Sequence, residues 1–273
     1  MNEEKAARLA AIRAANATKN ADGPPASHAS TRTTIYQAAP TPTELTDPFA
    51  SLPPGMAPHT LVLVLLASAA GALAAAVVLP SWLPHLSESL LGPEPKAYWY
   101  LARASAFVAY GLLWLSMMLG LTMTNKLARV WPGGPVAFDL HQHTSLLGLA
   151  FALFHALVLL GDRYIGYSLA QILMPFASTA YKPLEVGLGQ IALYLLALVG
   201  LSFYVRALIG RKLWRSVHFL SFALFVLALL HGVGSGTDSP MTLSLMFYWA
   251  SGGTVLFATI YRVLLVLPSP ARA

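Results

Sequence analysis

The chain contains no cysteine. That absence excludes disulfides, iron–sulfur clusters, covalently attached c-type heme and zinc sites built on thiolates, so any bound metal has to use histidine, methionine or carboxylate. Charge is scarce too. Asp, Glu, Lys and Arg make up 10% of the 273 residues, where a soluble domain carries roughly a quarter. The first 58 residues hold no long apolar run, which excludes an ordinary secretory signal. No internal repeat is visible. No glycine fingerprint follows a strand in the manner of a dinucleotide site, and the Gly-rich "GVGSGTDS" follows an apolar segment and reads as a loop.

What is present is apolar. Hydrophobic residues make up 56% of the chain and the mean hydropathy is +0.62, more than a soluble core can hide, which predicts an integral membrane protein. Residues 1–58 differ from the rest, being rich in Ala, Thr, Pro and Ser, and read as a largely extended tail that either stays solvated or straps a partner. Six apolar segments follow, near Thr60–Leu79, Ala97–Leu121, His141–Leu160, Leu184–Val205, Leu213–Val233 and Met241–Leu267. Each approaches the ~20 residues that cross a bilayer. The expected fold class is therefore all-α, a six-helix membrane bundle over 59–267 with a short C-terminus over 268–273. The long loop from Gly161 to Pro183 is a candidate cap on one side.

Positive charge orients the bundle. Lys5, Arg8, Arg13, Lys19 and Arg32 in the tail, Lys126 and Arg129, Arg206, Arg211, Lys212 and Arg215, and Arg262 and Arg272 all fall on one side. Only Lys96, Arg163 and Lys182 fall on the other, with Arg103 inside the second segment. Both termini are expected in the cytoplasm, of a bacterial inner membrane by preference.

Five of the eight histidines, His141, His143, His155, His218 and His231, lie in the third and fifth segments; His28, His59 and His85 read as bystanders. Ionisable groups inside a membrane are costly and usually functional, although a histidine also serves in helix packing. His141 and His155 are separated by ~21 Å of helix, His218 and His231 by ~20 Å. The two segments cross in the same direction, so each of two levels offers one imidazole per helix: His141 with His218 on the cytoplasmic side, His155 with His231 on the outer side. Two facing imidazoles suit a porphyrin iron and do not suit zinc, which takes three or four ligands. Fourteen residues return a side chain to within ~40° of its starting direction, whereas thirteen leave ~140°. His143 competes with His141 as the inner ligand. Thr144, Ser145, Gly148 and Ala152 share a face with His141 and are small, leaving room for a flat macrocycle.

Propionates need cations or donors. Arg215, with Arg211, Lys212 and Trp214, precedes His218, though the positive-inside rule explains the charges equally well. Arg103 either pairs with an outer propionate or snorkels; Arg163 is a second candidate. Phe151, Phe154, Phe219, Phe222 and Phe225 either flank a cofactor or fill the core.

With "YWYLARASAFVAYGLLWLSMMLGL", "LHQHTSLLGLAFALFHALVLL" and "WRSVHFLSFALFVLALLHGVGSGTD", residues 97–265 resemble the ferric reductase-like transmembrane domain family, the membrane part of NADPH oxidases, ferric reductases and the heme subunit of bacterial methionine sulfoxide reductase. The resemblance implies six helices and two bis-histidine b hemes on the third and fifth, with electrons passing outward. Family oxidases carry a C-terminal flavin and NAD(P)H domain with no counterpart here. The implied partners are thus a separate electron donor (flavoprotein, quinol or redox subunit), an outer acceptor or partner subunit, and membrane lipid, but not nucleic acid. The expected function is a di-heme electron-transfer subunit of an oxidoreductase, with no catalytic residue of its own. The alternative is an accessory or scaffold subunit of a respiratory or photosynthetic complex.

Overall fold

The computed structural model describes residues 53–78, 97–162, 165–179 and 181–266. The N-terminal tail before residue 53, the first loop, Arg163 and the C-terminal residues lie outside them. Among the described residues the chain is all-helical: α1 (Pro58–Leu73, continued by a π-helical turn Ala74–Val78), α2 (Ala97–Thr124), α3 (Gly134–Val158), the short α4 (Leu169–Leu173), α5 (Pro183–Ser202), α6 (Arg206–Ser235) and α7 (Thr242–Val266). All but α4 are long and apolar enough to cross a membrane. The chain is therefore a multi-pass membrane protein, and its third and fifth spans are α3 and α6.

Proline and glycine set the helix starts. Pro58, Pro135 and Pro183 occupy first-turn positions, where a missing N–H costs nothing. Gly133 enters α3 at φ 103°, open to glycine and strained for other residues. α3 thus starts seven residues before its apolar run, and His141 sits two turns inside the helix. α6 also starts early, but Gly210 interrupts it at φ 77°, ψ 157°, and the histidine-bearing helix runs from Arg211.

α3 packs chiefly on α2, with α1 on another side; α6 packs chiefly on α5, and α7 on α2. The main core joins Tyr110, Leu113 and Met117 of α2 to Leu149, Leu196, Leu224, Phe225 and Tyr248. Outward residues are apolar as well, with Leu243, Trp249 and Phe257 of α7 more than 70% exposed. Such a surface faces lipid, so close packing and interhelical hydrogen bonds hold the bundle together instead of water exclusion. Ser68 Oγ donates to Ala150 O at 2.6 Å, joining α1 to α3. Tyr110 and Ser251 hydroxyls meet at 2.6 Å, and Trp114 Nε1 donates to Thr254 Oγ1 at 3.0 Å, joining α2 to α7.

The segment around α4 folds back over the bundle. Ser168 and Gln171 form a reciprocal capping box at its start. Gln190 of α5 bolts the segment down. Its Nε2 donates to Gln171 O and Ile172 O, both at 2.7 Å, and its Oε1 accepts from Phe176 N–H at 3.2 Å. The Phe176 ring lies on Gly187, where an added Cβ would stand 2.1 Å from it.

Gln190→Leu keeps the bulk but orphans two carbonyls and an N–H. Each orphaned buried group costs about 1–3 kcal/mol. The expected outcome is a lower thermal midpoint in detergent and faster proteolysis within residues 165–179, with the other loops cleaved as before.

Candidate functional site

Two imidazole pairs lie between α3 and α6. The ring centres of His141 and His218 are 6.0 Å apart with planes at 70°. Those of His155 and His231 are 6.1 Å apart at 68°. The two helices themselves touch little; they face each other across a gap that the rings span. α6 has no break between Arg211 and Ser235, so the rotational offset of the thirteen-residue spacing is absorbed by how the helices pass one another.

Three of the four rings are held in one manner. His141 Nδ1 lies 2.9 Å from Ser116 O, His155 Nδ1 2.7 Å from Ala102 O and His231 Nδ1 2.8 Å from Glu185 O. A carbonyl only accepts, so each Nδ1 carries the proton and each Nε2 keeps its lone pair. That tautomer is the one a metal-binding imidazole takes when a backbone carbonyl orients it. In a helix, those carbonyls already accept a bond from the residue one turn on. At all three positions the residue one turn on is small: Ala106, Gly120 and Gly189. At Gly189 an added Cβ would stand 2.5 Å from His231 Nδ1; at Gly120, 3.4 Å from His141 Cε1. Hydroxyls add support: Ser116 Oγ and Ser235 Oγ each lie 3.0 Å from the Nδ1 of His141 and His231, respectively. Among the described residues no carbonyl takes up His218, which instead stacks on Trp214 at 5.3 Å and 30°.

A cavity of about 220 Å³ runs beside the His155–His231 pair. Small residues line part of it, among them Ala102, Ala106, Ala152, Gly189, Ala228 and Gly232, and Arg103, Asp238, Tyr167 and Tyr181 bring polar groups to its wall. The α4 segment closes one side through Tyr167, Gln171 and Ile172. Arg103 is ion-paired with Asp238, while its Nε is buried without a partner. Tyr167 Oη is likewise buried and unpartnered. Tyr181 Oη donates to Ser235 O at 2.8 Å and Lys182 Nζ to Gly234 O, so both cap the helix end that carries His231. Burial, then Tyr167 and Glu185 nearby, push the Tyr181 phenol above its ordinary range, which keeps it a donor.

The other expected residues fall as follows. His143 bonds back to Asp139 O at 2.9 Å and lies against Gly55, beside the Asp139 carboxylate; it does not face His218. Gly148 is buried on α2, where an added Cβ would meet Leu112 Cβ at an ordinary contact distance of 3.5 Å, so it faces a helix. Arg211, Lys212 and Arg215 are exposed, and Trp214 is half-buried. Phe151 and Phe219 are exposed, Phe154 and Phe222 are partly buried against the clusters, and Phe225 is buried on Tyr110. The accepting carbonyls, Asp238 and the cap from Tyr181 and Lys182 carry no short motif; a small residue one turn after each of the three carbonyls is the trace that these leave in the sequence. Among the described residues no group of three or more His, Asp or Glu converges, so a pair of imidazoles is the whole donor set at each level.

Gly189→Ala is expected to push His231 off Glu185 O, at an overpacking cost of about 1–3 kcal/mol, whereas Gly120→Ala needs only a shift of a few tenths of an ångström. Thermal unfolding of both variants in the same detergent checks this: a clearly lower midpoint for Gly189→Ala and a small change for Gly120→Ala.

Compared with known proteins, no family model, no curated protein and no solved structure matches the chain, so the reading of this site rests on its own geometry.

Proposed function

We propose that the chain is a di-heme b electron-transfer protein of the membrane, acting as a subunit of an oxidoreductase in the manner of the ferric reductase-like proteins it resembles. The observation that carries the reading is the pair of facing imidazole couples, three of whose four rings keep a free Nε2 lone pair. An iron between two imidazoles, with metal–nitrogen bonds of about 2 Å and each nitrogen about 1 Å from its ring centre, sets the centres about 6 Å apart. The observed 6.0 and 6.1 Å fit that figure. Buried donors without partners fit it as well: Arg103 Nε and Tyr167 Oη near the His155 level, Trp214 Nε1 near the His141 level. Carboxylates such as propionates satisfy groups of this kind.

Heme bound at each level supplies reversible one-electron redox chemistry. The protein's own residues do the rest. His141, His218, His155 and His231 would ligate it, and Ser116, Ala102 and Glu185 fix the orientation of three of these rings through their carbonyls. Small side chains leave a slot, and the α4 segment limits water at the second level. With the basic side cytoplasmic, the levels lie ~20 Å apart along the helices and form a path across the bilayer. The donor is a separate flavoprotein, quinol or redox subunit on the inner side, and the acceptor or partner subunit lies outside.

Purified protein is expected to show a reduced-minus-oxidised b-type spectrum, with pyridine hemochrome giving one heme per imidazole pair. His155→Ala and His231→Ala should remove one heme and His141→Ala and His218→Ala the other, while His143→Ala retains both. Heme-free protein from heme-replete cells sinks this reading and returns the chain to the scaffold class.

A further inference from the structure

The two levels are not built alike. At the second, both imidazoles are tied to helix carbonyls, and His231 also meets Ser235 Oγ. At the first, His141 is tied in the same way, but His218 has no hydrogen bond among the described residues. What touches it instead is Trp214, one turn earlier on α6, where residues i and i+4 share a face. The indole lies nearly parallel to the imidazole. Phe203 buttresses the indole edge-on at 6.4 Å and 67°, and Phe138 packs on Phe203 at 5.9 Å.

A hydrogen bond to a rigid carbonyl fixes a ring's rotation about its own plane and raises its basicity as a ligand. A stacking contact does neither to the same degree; it fixes tilt and denies the ring room to swing away. His218 is therefore held by exclusion, and its hold depends on the bulk of one neighbour. We infer that Trp214 is the positioning residue of the His141–His218 pair, and that His218 is the axial ligand that yields to a small neutral molecule when the stack is lost. The inference rests on the di-heme reading. In the exchange it describes, the bond from ferrous iron to His218 Nε2 breaks and one to carbon monoxide forms, with no electron transferred.

The test uses full-length protein in detergent, reduced with dithionite and exposed to carbon monoxide. Unaltered protein is expected to be unreactive at both hemes. In Trp214→Leu about half of the heme should become reactive, and half of the strongly anisotropic low-spin EPR signal expected from near-perpendicular imidazole planes should change. Trp214→Phe keeps a stacking ring and should restore the unreactive state. If Trp214→Leu drops one heme altogether while Trp214→Phe keeps two, the positioning role also stands. Two retained, unreactive hemes and an unchanged EPR signal in Trp214→Leu overturn it. A reactive Trp214→Phe overturns it too, because the indole N–H and not the stack would then hold the site. Unaltered protein without heme overturns the di-heme reading itself, which is a different result from an inert Trp214→Leu variant carrying two hemes.

Discussion

A helix carbonyl that is already bonded along its own helix can accept a second hydrogen bond from a neighbouring one. Three histidines here are held by such a bond, to Ala102, Ser116 and Glu185, with the small residues Ala106, Gly120 and Gly189 one turn on. Because side chains on a helix lean toward its N-terminus, the Cβ at i+4 stands beside the carbonyl at i. The second bond fixes the proton on Nδ1, and the fixed proton leaves the Nε2 lone pair free on three of the four rings. The tautomer of each ring is thus decided on a neighbouring helix.

The packing of the bundle follows from the same demand. α2 and α5 hold the acceptors, so α3 must lie on α2 and α6 on α5, which is where their contacts are concentrated. α3 and α6 are then left facing each other without closing the space between them. In lipid no water-exclusion force pulls two apolar helices together, so a gap of this kind can persist when its flanking contacts are good. The small residues along the cavity leave it room, and the hydroxyl links from α2 to α7 and from α1 to α3 hold the outer helices in place.

The spans were legible in the sequence because hydrocarbon thickness leaves a length signature that survives any arrangement. Their starts were less so: the apolar run of the third span begins at His141, while the helix begins at Gly134 because Gly133 and Pro135 set its first turn. The levels of the histidine pairs could be read from rise per residue alone, and the structure places His141 rather than His143 opposite His218. The thirteen-residue offset on α6 is a misfit only for a helix taken alone; the azimuth at which a partner passes is not written in one segment. Gly148 illustrates the converse. Its face was legible, but whether a small residue makes room for a ligand or for a helix depends on what stands opposite, and that is Leu112. Asp238 was missed because it lies far along the chain from Arg103, in a loop with no pattern of its own.

That ion pair bears on how the second level would take an anionic group. A lone arginine at this depth is expensive, and pairing with a carboxylate removes most of the penalty. With Asp238 already bound, Arg103 contributes no net positive charge to the cavity. A heme carboxylate arriving there would not be drawn by bare charge; it would be received by the donor that Asp238 leaves free, the buried Nε, and by the Tyr167 hydroxyl. A guanidinium has five N–H groups in a fixed fork and can serve two carboxylates at once. The pair is therefore compatible with an added anion, which the unfilled donors, more than the charge, would receive.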